Sequence, residues 1–431
     1  MKRKIESKLL KWKDSVDRKP LLIYGARQVG KTYSIVDFGK THYMDIVYFN
    51  FEGNSLLRDI FDRDLNPQRI ITALDALSGH KISAGNTLII FDEIQECEKA
   101  LTSLKYFCEE APEYHIIAAG SLLGLAINRG QYSFPVGKVN MLTMYPLDFE
   151  EFLMALDCDD LVELIKKSYN ENLPLDNAIH LKMLDYYYKY LAIGGMPAAV
   201  NAYITKNDFD FVRIAQSEIQ SSYYGDMTKY TDVKESNKIV AAYRSIPSQL
   251  AKENKKFQYK LIGSGARASV YESSIDWLVT SGIVYKCNKT KSGLMPLKIN
   301  EDLLSYKIYM SDVGLLSNSL GLNISNILSE HLSSEARGAL AENYVMQQLA
   351  TLSFEPNYWE SDGKAEVDFV IQTETDVIPV ECKYAANVQS KSLNVFVKKY
   401  NPKYSIRVSS KNFGFENNIK SVPLYAVFCI K

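Results

Sequence analysis

The run Tyr24-Gly25-Ala26-Arg27-Gln28-Val29-Gly30-Lys31-Thr32 constrains this chain more than any other stretch. It has the spacing G-x-x-x-x-G-K-[ST] in the right setting. The apolar Leu21-Leu22-Ile23-Tyr24 before it reads as a buried strand, and Tyr33-Ser34-Ile35-Val36-Asp37-Phe38 after it reads as a helix start. Gly25 and Gly30 let the backbone curl until its N–H groups face phosphate oxygens, and the helix N-terminus adds partial positive charge. Gly25, Ala26, Arg27, Gln28, Val29, Gly30, Lys31 and Thr32 are therefore the expected nucleotide-binding residues. Lys31 is expected to reach the β- and γ-phosphates, and the Thr32 hydroxyl to hold magnesium. A glycine turn at a strand–helix junction is the plain alternative, but it would not need every fixed position filled.

Downstream, Ile46-Val47-Tyr48-Phe49-Asn50-Phe51, Leu88-Ile89-Ile90-Phe91, His115-Ile116-Ile117-Ala118-Ala119 and Val139 to Met144 read as further strands. Helical stretches at 5–17, 55–79 and 98–110 alternate with them. This predicts an α/β fold, a parallel sheet with helices on both faces, over residues 1–146. Residues 147–230 have helical patterning, broken by Ile193-Gly194-Gly195-Met196-Pro197. Over 231–322, helical stretches near 234–253 and 266–281 precede a strand and a polar turn, Lys289-Thr290-Lys291-Ser292-Gly293. Pro247 is expected to kink or shorten the first. Helices followed by a basic-tipped hairpin fit a winged helix or a small α+β connector. Asn323 to Ser334 reads as a linker. Residues 333–431 read as a compact α/β unit with helices near 335–351 and 391–400. Its expected strands are Val367 to Ile371, Val377 to Lys383, Tyr404 to Val408 and Leu424 to Phe428.

At 431 residues, two to four domains are expected. Net charge is −1, from 50 basic and 51 acidic residues, so a surface for nucleic acid has to be local. The six cysteines form no C-x-x-C pair and the five histidines lack ligand spacing, which argues against a zinc site or a disulfide framework. Reduced thiols, a basic N-terminus without an apolar signal core and the lack of a membrane-length apolar run fit a cytoplasmic protein without a membrane span.

Two sites carry chemistry. Asp92-Glu93 ends an apolar strand, where a carboxylate can meet magnesium. Asp92 is the expected magnesium partner and Glu93 the base that positions water. Ser121, after the next strand, is a candidate γ-phosphate sensor. Arg129 and Lys138 are candidate charge-stabilising cations or surface charges. In the C-terminal unit, Asp368 lies in one strand-like run, and Glu381 and Lys383 share a face at the end of the next. With Glu342 on the preceding helix they read either as a magnesium site (Glu342, Asp368 and Glu381 as ligands, Lys383 steadying the reacting oxygen) or as a salt-bridged sheet face.

These stretches together resemble the prokaryotic AAA-type ATPases that join a phosphate-loop domain to a winged helix and a C-terminal nuclease-like domain. The likeness is carried by Tyr24 to Thr32, Phe91-Asp92-Glu93-Ile94-Gln95, Ala119-Gly120-Ser121, Tyr145 to Phe152 and Gly194-Gly195-Met196-Pro197. It continues through Tyr309 to Leu315, Gly338 to Asn343 and Glu366-Val367-Asp368-Phe369. The resemblance implies a winged helix at 231–322 and a PD-(D/E)XK nuclease-like fold at 333–431, with Glu342, Asp368, Glu381 and Lys383 in its motif positions. Val367 stands where the motif's name has proline, and Gly137-Lys138 stands where relatives carry Gly-Arg. Lysine keeps the charge and loses the planar fork.

Two functions follow as expectations. One is magnesium-dependent ATP hydrolysis that repositions a DNA-binding winged helix and a nuclease-like domain, with oligomerisation compatible. The other is a nucleotide-dependent switch that binds a protein partner, its nuclease-like module inactive. Lys252, Lys255, Lys256, Lys286, Lys289 and Lys291 are the candidate phosphate-contacting surface for the first, or else a solvated face.

Overall fold

The computed structural model describes the chain apart from residues 122, 125–133, 230–231, 330, 362–364 and 385–390. It divides into two units: Lys2–Tyr145 with Thr280–Gly282, and Pro146–Val279 with Ile283–Lys431.

In the first unit the short apolar runs become five strands: β1 Leu21–Tyr24, β2 Asp45–Asn50, β3 Thr87–Asp92, β4 His115–Gly120 and β5 Asn140–Thr143. All pair in parallel, in the order β2-β3-β4-β1-β5. β3 and β4 are buried throughout, as strands covered on both faces must be. Alternation in β2 shows the two layers. Ile46 packs toward Gly39 in α2 (Lys31–His42), while Val47 and Phe49 join the core under α3 (Ser55–Arg63), α4 (Pro67–Ser78) and α5 (Glu98–Glu110). Residues 55–79 were expected as one helical stretch; they form two. Asn66 accepts the Arg69 N–H and Pro67 opens α4, a strong start signal inside the run. The first helix is Ile5–Lys13 (α1).

The second unit begins with the helices α6 Phe149–Ala155, α7 Asp159–Glu171, α8 Asn177–Ile193, α9 Pro197–Lys206, α10 Phe209–Lys229 and α11 Val233–Leu250. Pro247 sits in the last turn of α11, which the helix accommodates before ending at Leu250. After α12 (Ala268–Thr280) comes an antiparallel hairpin, β6 Val284–Thr290 and β7 Glu301–Met310. It does not stand apart. β6 pairs in parallel with β8 (Asn357–Ser361) at Lys289↔Tyr358 and Thr290↔Trp359. The stretches read as 231–322 and 333–431 therefore share one eight-stranded sheet, β12-β13-β11-β10-β9-β8-β6-β7. Its other strands are β9 Ala365–Gln372, β10 Val377–Cys382, β11 Ser405–Ser409, β12 Gly414–Glu416 and β13 Ile419–Pro423. The helices around it are α13 Val313–Ser319, α14 Ile324–Leu328, α15 Ser334–Thr351 and α16 Lys391–Tyr400. Helix α14, with its Asn323–Asn326 capping box and buried Ile327, lies where a linker was expected. Leu424 to Phe428, expected as a strand, falls in a short 3-10 helix after Pro423; a fully buried apolar run does not by itself distinguish the two.

The second unit is knotted together at Asp312. Its Oδ2 accepts the Gly195 N–H at 2.6 Å and the Gln347 amide at 3.3 Å, and its Oδ1 accepts the Leu315 N–H at 3.0 Å. Gly194 is at φ +75, and a Cβ there would lie 2.1 Å from Asp312 Oδ1; one on Gly195 would lie 1.9 Å from the Leu147 carbonyl oxygen. Gln347 also accepts the Val313 N–H and donates to the Tyr190 hydroxyl, while Leu147 N–H donates to Gly195 O at 2.7 Å. Around this sit the rings of Phe149, Phe152, Tyr190 and Tyr344.

Complete burial pushes the Asp312 carboxyl up to about 6, against the hydrogen bonds that favour its charge. The folded chain then holds this proton to higher pH than the unfolded one, so the contribution to stability falls as pH rises from about 4 through about 6. Urea unfolding of wild type and Asp312→Asn should show their difference drifting in the variant's favour across that window, by on the order of 3 kcal/mol, and flat above it. The variant should be less stable near pH 4, because an amide cannot accept from both Gly195 and Leu315. A pH-independent difference would remove Asp312 as the titrating group.

Candidate functional site: a nucleotide loop and an acidic cluster

The loop between β1 and α2 has the backbone that its glycines allow. Gly25 lies at φ +144, Gln28 at φ +65 and Gly30 at φ +93. A Cβ on Gly25 would lie 2.0 Å from the Met144 carbonyl oxygen, so no larger residue fits. Arg3 donates from its two terminal nitrogens to Val29 O at 3.0 Å and Tyr145 O at 2.8 Å, tying the loop to the end of the unit. Lys31, buried, donates to Gly25 O at 2.8 Å and Ala26 O at 2.9 Å. Its ammonium thus lies inside the loop's own cradle. Arg27 completes the loop residues named from the sequence.

The strand order brings the chemistry together. β1 delivers the loop, β3 delivers Asp92-Glu93, and β4 between them delivers Ser121 just past its last residue. Thr32 Oγ1 donates to Asp92 Oδ2 at 2.8 Å, and Asp92 Oδ1 accepts the Glu93 N–H at 3.1 Å. Glu93 takes a left-handed backbone, φ 50, which turns its side chain out of the strand. Gln95 donates to Glu93 Oε2 at 2.5 Å, and its side chain fills the space beside Gly120, where a Cβ would lie 2.1 Å from it. Ser121 is buried. Two partners were not singled out from the sequence. Gln95 was quoted only within a motif. Tyr48 was read as a strand residue; it donates to Asp92 Oδ2 at 2.7 Å. The alternation of β2 carried a signal, since Asn50 pairs with Asp92 and Tyr48 shares Asn50's face. Lys138 is tied at the surface to Glu109, 2.9 Å away. Arg129 lies outside the described residues.

In the second unit, β9 and β10 run antiparallel with Phe369 opposite Val380, which sets Asp368 beside Glu381 one step further on. Glu342 reaches them from α15. Lysines answer these carboxylates. Lys383 Nζ lies 2.8 Å from Glu381 Oε1. Lys255 pairs with Glu342, and Lys307 lies 3.7 Å from Glu342 Oε2 and 2.5 Å from Glu366 Oε1. Tyr309 OH donates to Glu342 at 3.3 Å, and the Cys382 N–H to Asp368 Oδ2 at 2.8 Å. Burial opposes the charge on Glu342, but Lys255 and Lys307 outweigh it and hold the carboxyl at about 2. Burial, with the charges of Glu342 and Glu381, pushes Asp368 up to about 8. Among the described residues, no three His, Cys, Asp or Glu side chains are grouped so as to hold a metal ion. Glu381 Oε2 is nonetheless buried without a hydrogen-bond partner.

Most of the expected phosphate-contacting lysines have partners within the chain. Lys255 is bound to Glu342. Lys256 and Lys289 share Glu360 Oε2 at 2.6 and 3.0 Å, and Lys286 lies over the Tyr306 ring at 4.3 Å. Lys252 and Lys291 are exposed. The winged-helix reading placed these lysines together; the acids that bind them come from more than fifty residues away, beyond what local pattern shows. Removing one member of a buried ion pair strands the other's charge, at on the order of 3–5 kcal/mol. Lys307→Met should accordingly lower stability in urea unfolding by about that much, and Lys256→Met, half-buried, by about 1 kcal/mol or less. Equal effects would mean that Lys307 holds no buried charge.

Comparison with known proteins divides the chain into three matched segments. A family model described as an AAA domain matches residues 17–153. Two models for domains of unknown function, DUF8612 and DUF4143, match residues 184–326 and 337–427. An uncharacterized protein of Methanocaldococcus jannaschii, MJ1544, is 24% identical over 401 residues, covering 88% of this chain and 78% of that one. Among solved structures, the Walker-type ATPase paby2304 of Pyrococcus abyssi is similar at 17% identity and a TM-score of 0.45, over 74% of this chain and 95% of that chain. The Aeropyrum pernix ORC2 protein is similar at 14% identity and a TM-score of 0.33, over 80% and 93%. Among the described residues no helix is long and apolar enough to cross a membrane. With the loop geometry, the domain match makes residues 17–153 a nucleotide-binding P-loop domain of the AAA type.

Proposed function

We propose that this protein is a magnesium-dependent ATPase whose nucleotide state repositions its C-terminal unit. The observation that carries this is the Thr32–Asp92 hydrogen bond beside a loop that only glycine can form. A hydroxyl and a carboxylate 2.8 Å apart, both oxygen donors, suit magnesium, so Thr32 and Asp92 would hold it next to the phosphates. Bound there, magnesium neutralises charge on the phosphate oxygens. Lys31 leaves the carbonyls of Gly25 and Ala26 for the β- and γ-phosphates. The loop N–H groups from Ala26 to Thr32 receive the remaining oxygens. Glu93, released by Gln95, orients water and takes its proton. Ser121 reads the γ-phosphate, and its loss lets the units shift.

For the C-terminal unit the leading reading is a DNA-binding winged helix and nuclease-like domain, with Asp368, Glu381 and Lys383 as its working groups and Glu342 as a further acidic member. The orphaned Glu381 Oε2 supports it. The second reading is a nucleotide-dependent switch that binds a protein partner, with the nuclease-like module inactive. The internal pairing of Lys255, Lys256, Lys289 and Lys307 favours this one, because it neutralises both the expected DNA surface and Glu342.

The Glu93→Gln variant should bind ATP while hydrolysis falls about 100-fold or more; turnover at the wild-type rate would unseat Glu93 as the base. Incubation with magnesium or manganese and labelled single-stranded, duplex and branched DNA, with and without ATP, separates the two readings. Cleavage lost in Asp368→Ala establishes a nuclease, and its loss in Lys31→Ala shows that ATP gates it. Intact ATP hydrolysis with neither cleavage nor salt-sensitive DNA binding selects the switch.

A further inference from the structure

Asp92 Oδ2 receives two hydroxyl donors, Thr32 from the loop at 2.8 Å and Tyr48 from β2 at 2.7 Å. With the Glu93 N–H on Oδ1, the carboxylate is gripped at both oxygens. The two hydroxyls have different duties. Thr32 belongs to the magnesium site, and its oxygen must be free to face the metal. Tyr48 lies two residues before the β2 end and has no place in the phosphate loop. We infer that Tyr48 is a positioning residue for the magnesium site: its hydroxyl fixes the rotation of the Asp92 carboxylate so that Oδ2 faces Thr32. This rests on the proposed magnesium-dependent use of ATP at the same site.

Three features support the assignment. The parallel register places Tyr48 opposite Ile90, on the face that Asp92 continues, so the bond is diagonal between neighbouring strands and held by their ladder. Tyr48 donates to a carboxylate that already has its other donors, a role that orients the acid without neutralising it. The tyrosine stands on the outermost strand of the sheet, 43% exposed, and lines an open groove with Ile46, Leu77 and His80. A ring so exposed contributes little to the core. Its loss is therefore read in the metal dependence rather than in the fold.

The test uses the full chain and a fluorescent ATP analogue, titrated in excess chelator and then across a magnesium series. Tyr48→Phe removes only the hydroxyl. Its thermal midpoint without nucleotide and its affinity for the analogue in chelator should match wild type. The magnesium concentration that gives half of the metal-dependent tightening should rise by about tenfold, and that for half-maximal hydrolysis by the same factor. Maximal hydrolysis at saturating magnesium should stay near the wild-type value. Identical magnesium midpoints in the two proteins overturn the role of Tyr48. A wild type that gains no affinity from magnesium overturns the magnesium-ATPase reading itself, and the two failures are told apart by the wild-type titration alone.

Discussion

The larger unit depends on one buried carboxylate. Asp312 caps α13 and accepts the Gly195 N–H at the turn between α8 and α9, and Gln347 of α15 braces both it and Tyr190. Glycine at 194 and 195 is what allows the turn to approach this closely. The polar residues of α15 make sense in this light. Asn343 binds both backbone groups of Met310, Gln347 binds Val313, and Gln348 accepts the Phe149 N–H. A helix with so many buried amides would be costly unless their oxygens met partners, and the partners are the ends of other elements. The abundance of tyrosine has a related cause. Tyr187, Tyr190 and Tyr344 are buried rings packed edge to face, and Tyr190 spends its hydroxyl on the Leu147 carbonyl.

The two acidic centres differ in what answers their charge. Asp92 is met by hydroxyls and an N–H, all neutral donors. Glu342 is met by Lys255 and Lys307, fixed ammonium groups. A metal arriving at Asp92 adds charge where charge is lacking. One arriving at Glu342 competes with cations already in place, and Asp368, with its proton held up to about pH 8, would have to give it up. Both centres gather carboxylates, but those of the first meet neutral donors and those of the second meet lysines.

Much of this was legible in the sequence. The phosphate loop, the strands that carry it and the helix 98–110 follow from motif spacing, apolar runs and their stops, all of them local. The placement of Asp92 and Glu93 beside the loop could be read because the apolar run before them stops at those acids. Tyr48 could not be named so readily, because its partner is set by the pairing of β2 with β3, and a single strand does not announce its neighbour. The lysines at 255, 256 and 289 read as one surface only through the winged-helix expectation. Their pairing with Glu342 and Glu360 is decided by α15 and β8, 71 to 104 residues on. Leu424 to Phe428 shows the complementary limit: composition there demanded burial but left the backbone geometry open.

The pairing of β6 with β8 bears on what can be cut away. A fragment beginning near residue 333 would keep the strands of the motif yet lose β6, leaving the outer rim of β8 bare and ready to recruit a stranger's backbone. It would also lose Lys255 and Lys307, the two lysines that pair with the buried Glu342. The tip of the hairpin is stitched down as well, since Gly293 rests on Phe396 and Tyr400 of α16 so tightly that a methyl group there would lie 2.4 Å from the phenylalanine ring. Modular bookkeeping by sequence match would draw a border at residue 337, through the middle of a sheet. The hairpin β6–β7 and the strands β8 to β13 thus form one structural piece, and a cut between them opens a sheet edge.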